Sequence, residues 1–373
     1  MGALEAITPG RFPWFDYSRY TFSLGVRRAE HAWLSGHSAS EYDPSEGHIV
    51  VKGGMAEQTR TAYAKIGAIL ETAGRSFTDV RRVVEYVTAR GIDRYDELAG
   101  VRAEVFGASP PAVCTVVVNR LLRPEALIEI EVTAGPPDDV VYLPSLTAVR
   151  GDGTIEAEGD LVGQTRVVFE KAARLLADVG LSMRNVVKTV DYTTPATLAD
   201  YRRTGRVRQD MLGPVYPAAA GILLSRLQHP AALISLDVIA SRHQLVVVNP
   251  GWERYAKLTY SPAVRAGSML FMSGQAALDP ATEKAMHAGD VAAQAEYTYS
   301  NIIEVLKAAG AGPENLVKTI EYVTPAGLER YRDVAKIRER MLLEPYPAST
   351  GAICEGLLRP EFEIEVDPLA IVE

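Results

Sequence analysis

The chain of 373 residues carries 39 Lys+Arg against 47 Asp+Glu, a net charge of −8, with 47% hydrophobic and 23% charged residues. That length points to two or three domains of ordinary globular composition. The acidic balance argues against a phosphate backbone as partner. Cys114 and Cys354, the two cysteines, form no disulfide framework, and no apolar run reaches the ~18–20 residues of a membrane span. The first twenty residues lack the basic and apolar regions of a signal peptide. Ala6 stands where myristoylation of Gly2 would want Ser or Thr. A cytoplasmic protein is expected.

In chain order, one pattern occurs three times. Gln58, Gln164 and Gln294 superpose without gaps, as do Gly74, Gly180 and Gly310. Between each Gln and Gly the spacing predicts a helix with one apolar stripe: Tyr63, Ile66, Leu70; Phe169, Ala172, Leu176; Tyr299, Ile302, Leu306. The glycine falls where a helix ends in a left-handed residue. A β-branched strand follows each time, carrying "EYVTA" (85–89), "DYTTP" (191–195) or "EYVTP" (321–325). A second helix then starts near Tyr95, Tyr201 and Tyr331 and holds Arg102, Arg208 and Arg338. These arginines can serve a shared site or, more simply, ion pairs. Two strands close each copy: 111–121 and 126–134, 217–227 and 232–240, 347–357 and 363–371. Periods this long mark whole domains, at about 1–137, 138–243 and 244–373. The middle copy lacks the opening strand that the first and third possess.

The blocks "YSPAVRAGSMLFMSGQ", "VVKTVDYTTP" and "LLRPEALIEIEVTA" resemble the Rid family, also called YjgF or endoribonuclease L-PSP-like, and the resemblance recurs over nearly the whole chain. It implies an α+β, chorismate-mutase-like fold. Family members are usually homotrimers with clefts between subunits, so three tandem Rid-like domains imply an intramolecular pseudo-trimer. It would be monomeric, with pairing to a second copy left open. The resemblance also implies hydrolysis of small imines or enamines. The family arginine that would grip a substrate carboxylate falls at Val113, Ala219 and Ser349, so all three copies have lost it. The family acid falls at Glu131, Asp237 and Asp367. The opening-strand tyrosine is Tyr260 in the third copy and Phe22 in the first. An acid without its carboxylate clamp points to a substrate lacking that carboxylate, or to other proton-transfer chemistry. Chorismatases, with a trimer-like core in one chain, show by analogy that the architecture supports other reactions.

The residues themselves nominate Glu131 and Asp367 as acid/base groups, because a buried strand carboxylate is costly unless paired or used. Glu129 and Glu365 share their face by period two and rank below them. Tyr260, Ser349 and Thr350 would orient substrate, with Cys114, Thr115 and Glu355 as further contacts. Cys114 has no recognisable histidine partner, so a small core residue also fits. Glu355 is equally explained by a rim position. His37 replaces the glutamine of the third copy's Ser-Gly-Gln and can line a cleft or pack in the core. No HxH, HExxH or CxxC pattern and no phosphate loop occurs, so neither metal nor cofactor is expected. The reading is a cofactor-free enzyme acting on a small imine, enamine or carbonyl compound by hydrolysis, tautomerisation or condensation. The alternative is a non-catalytic small-molecule-binding or protein-interaction module.

Overall fold

The computed structural model describes residues 3–137 and 139–373. The expected lack of myristoylation at Gly2 and the expected start of the middle domain at Asp138 fall, with Met1, outside the described residues. The first third forms β1 (Gly25–Arg28), β2 (His31–Leu34), α1 (Met55–Thr72), β3 (Val80–Thr88), α2 (Glu97–Phe106), β4 (Ala112–Val118) and β5 (Ile128–Ala134). These strands lie in the order β1-β2-β5-β3-β4, with only β3 and β4 parallel. A parallel pair needs a crossover connection, which α2 supplies.

The second sheet takes β6 (Val140–Tyr142), β7 (Val186–Thr193), β8 (Ala218–Leu223) and β9 (Ser235–Ser241) in the order β6-β9-β7-β8, with α3 (Leu161–Asp178) and α4 (Gly205–Leu212). Its edge begins at β6, and among the described residues it has no counterpart of β1. The third sheet holds β10 (Leu245–Val248), β11 (Ala263–Ala266), β12 (Met269–Met272), β13 (Leu316–Val323), β14 (Ala348–Ile353) and β15 (Ile364–Ile371), ordered β10-β11-β12-β15-β13-β14. Its helices are α5 (Val291–Ala308) and α6 (Val334–Met341). No helix among the described residues is long and apolar enough to cross a membrane.

The recurring residues hold the same joints in each third. Gly74, Gly180 and Gly310 have φ of +69°, +73° and +74°, the left-handed turn that ends α1, α3 and α5. Gln58 donates to Glu125 O and accepts from Leu127 N, tying α1 to the loop before β5. Gln164 and Gln294 do the same with Ala231 and Leu233, and with Glu361 and Glu363.

The repeated pentapeptide divides its work between two faces, because successive strand residues point to opposite sides. Its acid turns toward the helices. Glu85 accepts from Arg102 Nε and Nη2 at 2.9 and 2.5 Å and from Tyr95. Glu321 accepts from Arg338 at 2.6 Å and from Tyr299 and Tyr331. Asp191 pairs with Arg208 and Tyr201, but Phe169 offers no phenol there, and Asp191 Oδ1 is buried without a partner. The shared arginines are therefore ion-pair residues of the fold. The tyrosine turns the other way: Tyr86, Tyr192 and Tyr322 join an apolar cluster drawn from all three sheets, and the last two hydroxyls are 2.9 Å apart. A second such cluster gathers Trp33, Ile239, Phe271 and Ile371. Each sheet thus covers its helices with one face and meets the other two sheets with the opposite face.

The sheets also meet in a fixed cyclic order. Gly36 N donates to Ser349 O, Gly274 N to Ala219 O, and Ser145 N to Val113 O. The opening segment of the first third therefore lies on β14, that of the third on β8, and that of the second on β4.

Candidate functional site

The three acids at the family acid position are engaged in ion pairs between sheets. Glu131 meets Lys318 at 2.9 Å, Asp237 meets Arg82 at 3.0 Å, and Asp367 meets Lys188 at 2.5 Å. Arg82, Lys188 and Lys318 occupy one equivalent position on β3, β7 and β13. Glu131 also accepts from Thr350 Oγ1, and Asp237 from Ser145 Oγ. Glu131 and Asp367 line a small pocket of about 60 Å³ together with Tyr86, Tyr192 and Tyr322. Burying a charged pair is tolerable only with such partners.

A much larger cleft, about 720 Å³, opens between the second and third sheets. Tyr260 lines it with Tyr201, Tyr255, Gln275 and Glu365, over a floor of Ala219, Ala220 and Gly221. The floor is low because the chain places small residues there. The corresponding residues on β14 are Ser349, Thr350 and Gly351. Glu365, two residues before Asp367 on β15, faces this cleft, whereas Asp367 does not line it. Burial first, then the neighbouring Asp367 charge, push the Glu365 carboxyl up to about 8, against the opposing pull of Lys188. Glu365 is thus a protonated acid at neutral pH, beside water-accessible space.

Gly274 sets its position. A methyl group at Gly274 would lie 2.2 Å from Glu365 Oε1 and 3.1 Å from the Ala220 methyl. A Gly274→Ala variant should therefore displace the Glu365 side chain, while the melting temperature falls by only a few degrees. A crystal structure of the variant beside a thermal melt checks this; an unmoved Glu365 would contradict it.

The remaining sequence candidates disperse around the ring. Ser349, Thr350 and Glu131 come together between the first and third sheets, with Ser349 N donating to Ser35 Oγ and Thr350 Oγ1 to Glu131. Glu129 lies there too, pushed up to about 7 by burial and by Glu131. His37 is buried, bonds Leu24 O through Nε2 and is held near 3 by burial, with the Lys65 charge adding to it. Aromatic residues of the leader, Phe12 and Phe15, close over His37 and Lys65. Cys114 is fully buried in the central cluster, its thiol raised to about 12 by burial and then by Asp237, so no thiolate nucleophile forms. Thr115 hydrogen-bonds Tyr95 at 2.6 Å. Glu355 is an exposed rim residue taking a hydrogen bond from Asn119. Tyr260 and Ser349, paired in the sequence reading, sit in different junctions, because β14 faces the opening segment of the first third and not its own. Arg254, which also lines the large cleft, gave no signal beyond a single basic residue in the lead segment of the third copy.

The model of the endoribonuclease L-PSP family matches residues 17–135 and 253–372, well over half of the chain, and the chain belongs to this family, the Rid family. A RutC family protein of Pyrococcus horikoshii is 44% identical over 113 residues, 30% of this chain and 85% of that protein. The chloroplastic Reactive Intermediate Deaminase A of Arabidopsis thaliana is 33% identical over 148 residues, 39% of this chain and 78% of that protein. Among solved structures, a chorismatase superposes with a TM-score of 0.53 at 15% identity, covering 78% of this chain and 93% of its own, a likeness of fold alone.

Proposed function

We propose that the chain is three tandem Rid-like domains, at about 1–137, 138–243 and 244–373, closed into an intramolecular pseudo-trimer, and that the cleft between the second and third domains hydrolyses a small imine or enamine without a cofactor. Family membership supports imine-related chemistry on a small molecule, and one relative is a reactive intermediate deaminase. The observation that carries the reading is the buried, unpaired Glu365 carboxyl raised to about 8 in an open cleft, since perturbed carboxyls in clefts mark acid/base sites.

In this reading the protonated Glu365 gives its proton to the imine nitrogen as water adds to the carbon. The carboxylate then takes a proton back from the added oxygen, and the carbinolamine collapses. C=NH plus water becomes C=O plus ammonia, and Glu365 ends as it began. Tyr260 and Gln275 are placed to hold the substrate and the water. Imines made in situ by an amino-acid oxidase, with semicarbazide competing for them, test the proposal. Faster release of ammonia and carbonyl product in the presence of the protein supports it. A rate unchanged across imines with and without a carboxylate overturns it and leaves the cleft as a binding site.

A further inference from the structure

The walls of this cleft carry a charge opposite to that of the whole protein. Arg202, Arg206, Arg208, Arg254, Lys257 and Arg359 line it against three acids, Asp191, Glu283 and Glu365, in a chain of net charge −8. Asp191 is already matched by Arg208, and burial keeps Glu365 protonated at neutral pH. The cleft is therefore a positive hollow on an acidic molecule, which concentrates anions.

Arg254 is the cation held ready. Its side chain is 12% exposed, and its buried Nε has no hydrogen-bond partner. Glu283 Oε2 stands 3.9 Å away, too far for a hydrogen bond. The guanidinium lies over the Tyr255 ring at 5.0 Å, which fixes its plane. A buried donor without a partner is costly unless something meets it, and a guanidinium is matched best by a carboxylate.

Two further rings pack on Tyr255. Trp252 and Tyr255 stack at 6.0 Å, and Tyr260 meets Tyr255 edge-on at 5.5 Å. A cleft of about 720 Å³ falls in the range that buries ligands of drug-like size, and a simple imino acid would leave most of it empty. Ala219 and Ala220 add room where a longer side chain would otherwise reach in.

We infer that this cleft selects a ring-bearing carboxylate, with Arg254 gripping the carboxylate from the lead segment of the third domain in place of the arginine missing at Ala219. The inference rests on the cleft being the working site, but not on its catalysing a reaction. The sequence-based expectation of a substrate without a carboxylate is replaced by one whose carboxylate is held from the opposite wall.

Calorimetric titration with phenylpyruvate, its methyl ester and pyruvate tests this on the whole protein. The expected result is phenylpyruvate binding at least about tenfold tighter than either of the others, and Arg254→Gln removing the acid's advantage over the ester while ester binding holds. Arg254→Lys should keep part of that advantage. Equal affinity for acid and ester in the natural protein, or undiminished acid binding by Arg254→Gln, overturns the inference. Should Arg254→Gln fail to fold, the natural protein's own acid-to-ester ratio still decides. Selective binding without ammonia release would overturn the deaminase proposal and leave this one standing.

Discussion

Glu365→Gln is expected to lower imine hydrolysis by about 10²–10⁴-fold, the usual contribution of a positioned acid/base. Glutamine keeps the shape of the side chain and the close approach to Gly274, but it has no proton to cycle. The pH dependence carries the same signature. In the proposed reaction the working form is the protonated acid, so the natural protein should hold its rate below about pH 8 and lose it above. The residual rate of the variant should show no limb there. Stability moves in step. A carboxyl raised in the folded state stabilises the fold fully below the unfolded carboxylate range, and that contribution is lost as pH rises through about 8. Glu365→Gln has no such loss, so near pH ~9 it should melt a few degrees above the natural protein. Rate profiles and thermal melts across that range check both statements.

Arg338→Ala is expected to be the most damaging change to the fold, costing about 3–5 kcal/mol in urea unfolding. Glu321 is wholly buried and would keep only the Tyr299 and Tyr331 hydroxyls as donors. Arg338 also reaches Thr21 of the first third at 3.1 Å, so a contact between thirds of the chain is lost with it. Replacing both partners with apolar residues, Arg338→Met with Glu321→Leu, should recover much of that loss, because no uncompensated charge remains. If the double variant were as unstable as the single one, the ion pair would not be the cause.

The elements of each third were legible because the pattern is written three times. The β-branched strand carrying "DYTTP" is β7, and the three helix-ending glycines take the left-handed turn the pattern requires. The arginines shared by the second helices are ion-paired, the simpler of their two readings. The candidate site was legible only in part. Tyr260 lies in the large cleft, but period two places Glu365 and Asp367 on one face without showing which is neutralised. The answer depends on Lys188, which comes from another sheet and is distant in sequence. Nor does sequence reveal the cyclic order of the sheets, which sends Ser349 to the first third and Tyr260 to the second. Arg254 gives no sequence signal, because an isolated arginine in an irregular segment has no periodicity to give it a direction.

In the proposed reaction the cleft between the second and third sheets, and not the junction between the third and first, is the reacting site. Glu129 and Glu365 are equivalent residues in those two places, both buried and both raised by the same causes. Measuring imine hydrolysis for Glu129→Gln and Glu365→Gln side by side tests the claim most directly. Near-natural rates are expected for Glu129→Gln and a collapse for Glu365→Gln; the reverse pattern, or equal losses in both, would contradict this assignment.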